Sequence, residues 1–502
     1  MNKKKTIIIA ASIAAALVAV LLLLIFLPKG GDTANPDSST IDEGVSMSAS
    51  TDENGVHQVT IQTDKDGKIE NNSYGTLMEY YPADISQIHI ENAKGAFDVV
   101  SKTPEGEATV YTIKGYEDFD LQAGNPDLIA SAAAKLEFSR VATLDKAKSG
   151  EFGFDSPRAG VTVTYNDNTK SIITVGSEAP QQAGTYVKFG TGDAVYVVDT
   201  ETVEPFAFGV TDLISLTINN AADNTDNNEA SKITVSGANF PEAVTLVPNT
   251  NENYSASYQM TAPASRLANE KESSLVSGGI RGLFALSVKM VNPTDSQHSS
   301  LGLSNPYARL TASYPDLTVD LIASQPDSEG SVNLMVSGRS VVYAVSADKV
   351  PWVTTSYEKL CSEYALYPKL TALSNVSVTA DGKTTDFELS THESVTTDDE
   401  GVETSNTVTV VTHNGDEIQI GDFSTFYDKL AMIALADAKT DNSSGSDVLR
   451  VRYTFADGSS DSVSFVDAGG DLYVVVVNGE MAGHSHKADV SRAVSGIAEV
   501  LE

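Results

Sequence analysis

The outer part of this chain repeats itself. Phe152 to Tyr165 reads FGFDSPRAGVTVTY, and Leu301 to Tyr314 reads LGLSNPYARLTASY. Both follow apolar-Gly-apolar, two small polar residues, Pro, and then an alternating strand that ends in Tyr. About 150 residues separate the copies. A second echo lies at a similar offset: Tyr196 to Phe206 (YVVDTETVEPF) and Tyr343 to Val353 (YAVSADKVPWV). Self-similarity at a fixed period means that one supersecondary unit has been laid beside another copy of itself. Such chains build scaffolds and binding surfaces, and nothing comparable here points to catalysis.

The elements around the echoes fall in the same order. In the first unit, Ile85 to Ile90, Phe97 to Val99 and Val110 to Ile113 read as a meander. Asn125-Pro126-Asp127 reads as a helix start, with Leu128, Ile129, Ala132, Ala133, Leu136 and Val141 at helical spacing. Strands follow the corner at Val161 to Tyr165, Ser171 to Val175, Tyr186 to Phe189 and Ala194 to Val198, and Glu201 to Phe208 reads as a closing helix. The second unit repeats this, with helices expected over Glu270 to Leu286 and Lys349 to Tyr364. The third is more divergent. Phe423 to Ala438 reads as a strongly amphipathic helix, but a polar linker, Asp441 to Asp447, stands where the corner would be. The pattern predicts an α+β fold of three tandem β-rich units, each strands-helix-strands-helix, over 76–218, 219–368 and 369–502.

The corner itself reads as structural. Gly153 and Gly302 let the backbone bend without a Cβ clash. Phe152 and Phe154, or Leu301 and Leu303, can bury on either side of the bend. Pro157 and Pro306 hold the preceding residue extended and stop a helix from propagating.

At the N-terminus, residues 6–27 form an apolar run without charge, preceded by Lys3, Lys4 and Lys5. About 22 residues suffice to cross a hydrocarbon core of roughly 30 Å as a helix. The run is longer than the apolar part of a cleaved signal peptide and ends Leu27-Pro28-Lys29-Gly30, without a small-x-small site. The expectation is an uncleaved single-pass anchor, with residues 1–5 as a cytoplasmic tail and the bulk of the chain outside the cytoplasm. Residues 28–75 read as a flexible tether, ending in a hairpin with His57 to Thr63 as a strand and Asp66-Gly67 as a turn.

Taken together, the anchor, the duplicated units and the Phe/Leu-Gly-Phe/Leu-x-x-Pro corner resemble a bacterial family catalogued only as a domain of unknown function. Its members are often encoded beside gliding-motility-type ABC transporter subunits. The resemblance covers most of residues 76–368 and, more weakly, the third unit. It implies an envelope protein working with an ABC-type membrane complex, and it carries over no catalytic residue.

Composition narrows the function classes. A formal charge of −35 over 502 residues argues against nucleic acid, whose phosphates demand Lys and Arg, and against an anionic lipid surface. Cys361 is the only cysteine, so no internal disulfide forms and the folded part stands on its hydrophobic cores.

Candidate chemistry is thin. Ser356-Tyr-Glu-Lys359 and Ser346-Ala-Asp-Lys349 match an S-x-x-K pattern, but neither has the K-T-G partner of penicillin-recognising enzymes. His484 and His486 would share one face of a strand, with Asp489 as the nearest third ligand for a metal; exposed loop histidines are the plainer reading. His57, His89, His298, His392 and His413 are scattered. Asp64-Lys-Asp-Gly67 and Asp457-Gly-Ser-Ser-Asp461 fall short of a calcium loop and read as hairpin turns. Trp352 aligns near Pro205 and Phe206, which favours core packing over a sugar-stacking platform.

The sequence therefore predicts no enzyme and no cofactor. Its leading reading is a membrane-anchored, extracytoplasmic scaffold that binds a protein partner, such as ABC transporter subunits. The alternative is a module that binds cell-wall glycan or peptide, which requires an exposed aromatic platform around Tyr254 to Tyr258 or Tyr357 to Tyr367.

Overall fold

The computed structural model describes residues 44–104, 107–223, 225–397, 403–439 and 445–502. Strands take up 44% of the chain and helices 20%, arranged in four antiparallel sheets. This corrects the expected α+β repeat behind a transmembrane helix to a mostly-β architecture. The expected membrane helix at 6–27, the tail at 1–5 and the tether's first part lie outside the described residues. Among the described residues no helix is long and apolar enough to cross a membrane. Anchoring through an N-terminal helix therefore finds no support in the architecture.

A small hairpin comes first, β1 (Met47–Thr51) against β2 (His57–Ile61). Its reversal is made by Asp52, whose Oδ1 accepts the N–H groups of Asn54 and Val56, and not by Asp66-Gly67 as expected. The first large sheet contains β3 (Gly75–Glu79), β4 (Ile85–Asn92), β5 (Gly95–Lys102), β6 (Val110–Ile113), β7 (Lys135–Thr143), β8 (Ala159–Tyr165), β9 (Lys170–Glu178), β10 (Thr185–Phe189) and β11 (Val195–Val198). The second contains β12 (Lys232–Gly237), β13 (Phe240–Pro248), β14 (Tyr258–Ala262), β15 (Arg266–Leu267), β16 (Ser287–Val291), β17 (Ala308–Ser313), β18 (Thr318–Ala323), β19 (Ser331–Val336) and β20 (Val341–Ser346). The third contains β21 (Leu373–Ala380), β22 (Lys383–Thr397), β23 (Glu403–His413), β24 (Asp416–Ile418), β25 (Ser446–Phe455), β26 (Ser460–Asp467), β27 (Leu472–Val477) and β28 (Glu480–His486).

One order of seven strands runs through all three, with β3 and β7, β15 and β16, and β24 added at the edges. The sheets read β3-β7-β11-β10-β9-β8-β4-β5-β6, then β15-β14-β13-β12-β17-β18-β19-β20-β16, then β24-β23-β22-β21-β25-β26-β27-β28. In each, an opening meander meets a closing meander through one central antiparallel pair. The central contacts correspond as well: Ile90 faces Val161, Val235 faces Leu310, and Val378 faces Val451, all buried. Strict alternation along β8 sends Val161, Val163 and Tyr165 into the core and leaves Thr162 and Thr164 on the outer face. The first two sheets share one continuous core, and the third has its own.

The helices are shorter than the sequence periodicity implied. The first spans Asn125–Ala134, and Leu136 and Val141 belong to β7 instead, where Leu136 and Phe138 turn inward while Lys135 and Glu137 turn out. The helix expected over Glu270 to Leu286 ends at Gly278, where the Gly279 N–H reaches back to the carbonyls of Leu275 and Val276. The predicted closing helix over Lys349 to Tyr364 is broken by Pro351 into 3-10 turns and a four-residue helix, Tyr357–Leu360. In the third unit the helix is Ile420–Ala431, and Lys487–Glu499 closes the chain.

The repeated corner plugs the outer face of its sheet. Gly153 has φ +83° and Gly302 φ +73°, the left-handed region that glycine enters without penalty. Phe152 packs edge-on against Tyr186 with ring centroids 4.6 Å apart, and the Lys188 ammonium lies 4.9 Å from the Phe154 ring. Leu303 is buried with Met335 and Val342, with Leu301 packed beside them. Pro157 is exposed and Pro306 half-buried, so the prolines act on the backbone path and not on packing. A Cβ on Gly153 would sit 2.9 Å from the Ser177 nitrogen, whereas one on Gly302 would meet Ser324 Cβ at 3.3 Å. Gly153→Ala is therefore expected to cost about 2 kcal/mol and Gly302→Ala about 1 kcal/mol. Urea unfolding of the two variants checks this, and equal or reversed costs would count against it.

Candidate functional site

The two junctions between large sheets are built alike. At the first, the Ser215 N–H donates to the Asp120 carbonyl at 2.8 Å and the Gln122 N–H to the Leu213 carbonyl at 2.7 Å. At the second, the Ser362 N–H donates to the Leu267 carbonyl at 3.2 Å and the Asn269 N–H to the Leu360 carbonyl at 2.9 Å. Two residues on, the serine hydroxyl accepts a backbone N–H, Thr217 on Ser215 and Tyr364 on Ser362, each at 3.2 Å. The chain then pairs with the next unit, Thr217 opposite Phe284 and Tyr364 opposite Ala434. Each junction is thus a backbone clip that holds the unit just left and the unit about to begin. Beside each clip lies a cleft, of about 500 Å³ at the first and about 790 Å³ at the second.

The second cleft is the larger and carries the denser chemistry. Its wall is apolar and aromatic, from Leu267, Ala268, Tyr254, Tyr364, Tyr367, Leu435 and Ala438. Its rim is acidic: Glu270, Glu272, Glu358, Glu363 and Asp437 outnumber Lys271 and Lys359. Several of these groups are already engaged. Glu270 accepts the Ser257 N–H and hydroxyl, and Glu272 accepts the Thr355 hydroxyl. Burial works against the charge on Asp437, but hydrogen bonds from His484 and the Lys439 N–H outweigh it and hold the carboxyl below its usual range. Glu358 and Glu363 stay exposed at the mouth.

Cys361 lines the cleft floor and is buried. Burial pushes its thiol up, and Arg266, whose Nη1 donates to Sγ at 3.5 Å, offsets this only in part. A thiol held protonated is a poor nucleophile. The same Arg266 nitrogen donates to the Ala482 carbonyl of β28 at 3.2 Å, and its guanidinium lies 5.6 Å from the Tyr357 ring. Arg266 therefore ties the second sheet to the third. Tyr254 adds a second tie, its hydroxyl donating to Asp461.

The structure disperses the other candidates read from the sequence into local roles, including the paired histidines. His484 Nδ1 lies 2.8 Å from Asp437 Oδ1, His486 is exposed, and Asp489 pairs with Arg492. Among the described residues no three metal-ligating side chains converge. Ser356 caps the short helix Tyr357–Leu360, and Ser346 bonds Asp348. Asp64 and Asp457 close their own turns. Trp352 is fully buried, its Nε1 donating to the Gly279 carbonyl at 3.0 Å. Tyr254 and Tyr258 are buried as well, and Tyr357 and Tyr364 are half-buried, so of the aromatic platform required for glycan stacking only Tyr367 is exposed. Sequence reasoning missed the clips, Arg266 and Asp437. One signal was available: Leu213-Ile-Ser215 and Leu360-Cys-Ser362 repeat at the same offset as Tyr196 and Tyr343.

Residues 111–278, about a third of the chain, match the family model described as a domain of unknown function (DUF4340). The matched segment runs from β6 across the first clip to the end of the helix Glu270–Gly278. No curated protein and no solved structure matches the chain.

Proposed function

We propose that this protein is a non-catalytic scaffold that binds a protein partner through the cleft between its second and third sheets. The observation that carries the reading is the cleft's make-up: an apolar, tyrosine-lined wall inside a ring of carboxylates, spanning two units. Such a surface suits a protein segment with an apolar anchor and flanking Lys or Arg. Its one thiol is buried and pushed up by that burial, which favours binding over chemistry. The family resemblance of the repeated units extends the proposal to the partner's identity, a subunit of an ABC-type transporter complex. Action outside the cytoplasm is part of the same proposal. The glycan alternative is weakened by the burial of Tyr254, Tyr258 and Trp352.

Crosslinking of the full-length protein in its native cells, followed by purification and mass spectrometry, tests the proposal. Transporter subunits are expected in fixed ratio to the bait. The pair Glu358→Lys and Glu363→Lys is expected to reduce that recovery at least tenfold, because both carboxylates are exposed at the cleft mouth, where a partner's cations would meet them. Recovery of wall fragments alone, or recovery indifferent to the charge reversals, would overturn it.

A further inference from the structure

In the first two units a chain segment, the corner, covers the outer face of the closing meander. The sequence of the third unit lacks the corner motif, and the polar stretch Asp441 to Asp447 stands in its place. Its corresponding outer face holds a depression of about 380 Å³, with Arg450, Arg452, Ser460, Ser462, Ser464 and Val476 in its wall. The pairing of charges has changed with it. Arg309 on β17 and Arg450 on β25 occupy the same register position, one residue before the buried pair residues Leu310 and Val451. Arg309 grips Asp320 with two hydrogen bonds, Nε to Oδ1 at 3.0 Å and Nη2 to Oδ2 at 2.6 Å. Asp320 faces Thr311, and the residue facing Arg452 at the equivalent place is Ser462. The carboxylate that serves this face in the second unit is a hydroxyl in the third.

The guanidiniums have adjusted unequally. Arg450 turns to Asp447 and donates Nε to the Ser464 hydroxyl at 3.1 Å. Arg452 donates Nη2 to the Ser460 hydroxyl at 3.0 Å and meets no carboxylate among the described residues. The other acid in the wall, Asp461, is occupied by the Tyr254 hydroxyl and by Asn478 Nδ2 at 2.8 Å. In a chain of net charge −35, an arginine left with one neutral acceptor on a concave, serine-lined face is set for an incoming anion.

We infer that this depression binds an acidic peptide segment of a partner protein. One side-chain carboxylate is received by Arg452 as Asp320 is received by Arg309, with the Ser460 and Ser462 hydroxyls donating to it. A peptide is the favoured occupant because a stretch of chain lies over the matching face in both other units. This site is distinct from the acidic-rimmed cleft, and its occupation does not depend on whether the cleft binds a partner.

The test uses purified full-length protein and a fluorescein-labelled peptide of alternating Asp and Ser, with an Asn-for-Asp twin, read by anisotropy. The Asp peptide is expected to bind and the Asn twin to bind at least tenfold more weakly. Arg452→Gln is expected to weaken binding tenfold or more, and the exposed control Arg140→Gln to leave it unchanged. Ser462→Asp places a carboxylate within the fold, so it should abolish binding while the thermal transition is retained. Equal binding of both peptides, or indifference to Arg452→Gln and Ser462→Asp, overturns the inference. Arg452-dependent binding of inorganic phosphate without peptide binding overturns the peptide assignment.

Discussion

Above pH 10 the protein is expected to unfold cooperatively, with its tyrosines ionising in the same step. Burial pushes Tyr196 and Tyr314 up to about 12. Burial also raises Tyr165 and Tyr453, and it raises Tyr254 and Tyr427 with help from neighbouring acidic groups. In the unfolded chain each titrates near 10. Between those two values the unfolded state has released protons that the folded state still holds, so stability is intact below pH 10 and falls as pH rises. For Tyr196 the loss is about 1.4 kcal/mol at pH 11. Three of these tyrosines stand in each of the two cores, so each core loses roughly 4 kcal/mol there, a large share of the 5–15 kcal/mol stability of an ordinary domain. Absorbance at 295 nm and far-UV circular dichroism, followed together from pH 8 to 12, should change at one midpoint. Tyrosines that titrate singly near pH 10 while the dichroism holds would contradict the burial of these rings.

Trp352→Ala is expected to be the most damaging single substitution in the second unit. The side chain is fully buried and its indole N–H is satisfied by the Gly279 carbonyl. Truncation leaves a cavity between the helix Glu270–Gly278 and the closing turns and strands that carbonyl, a loss of about 3–5 kcal/mol. Trp352→Phe keeps most of the volume but loses the bond, and about 1–2 kcal/mol is expected. Urea titration followed by circular dichroism ranks the three proteins. Because Trp352 is the only tryptophan, wild-type fluorescence reports the core that the first two units share. A Trp352→Ala midpoint within error of wild type would mean that the indole is not a core element.

What the sequence disclosed was whatever depends on a residue type that only one conformation needs. Gly153 and Gly302 announce a left-handed corner, because other residues are strained there. The alignment of Trp352 with Pro205 and Phe206 is matched in space: Asn92 Nδ2 donates to the Phe206 and Phe208 carbonyls, and Asn239 Nδ2 to those of Val353 and Thr355. Features settled by competition between periods were harder to read. Leu136 and Val141 fit a helix as well as a strand, and pairing of β7 with β3 and β11 decided for the strand. The mostly-β balance was missed for the same reason, since apolar runs near Gly279 and Pro351 resemble helices until the breakers act. The candidate cleft was hidden because backbone groups build its clip, and backbone groups leave little trace in residue identity.

The clips also explain how far the third unit has been free to drift. Its sequence lacks the corner motif, and among the described residues isolated bridges at Ala434 and Asp437 stand where β7 and β16 run in its siblings. The step from one unit to the next is nonetheless fixed by the same main-chain bonds, which tolerate almost any side chain. The chain thus behaves as a ruler whose graduations are set by the backbone. Each interval can acquire its own chemistry, such as an acidic-rimmed cleft or an arginine that meets only a hydroxyl, without altering the distance at which the next one is presented.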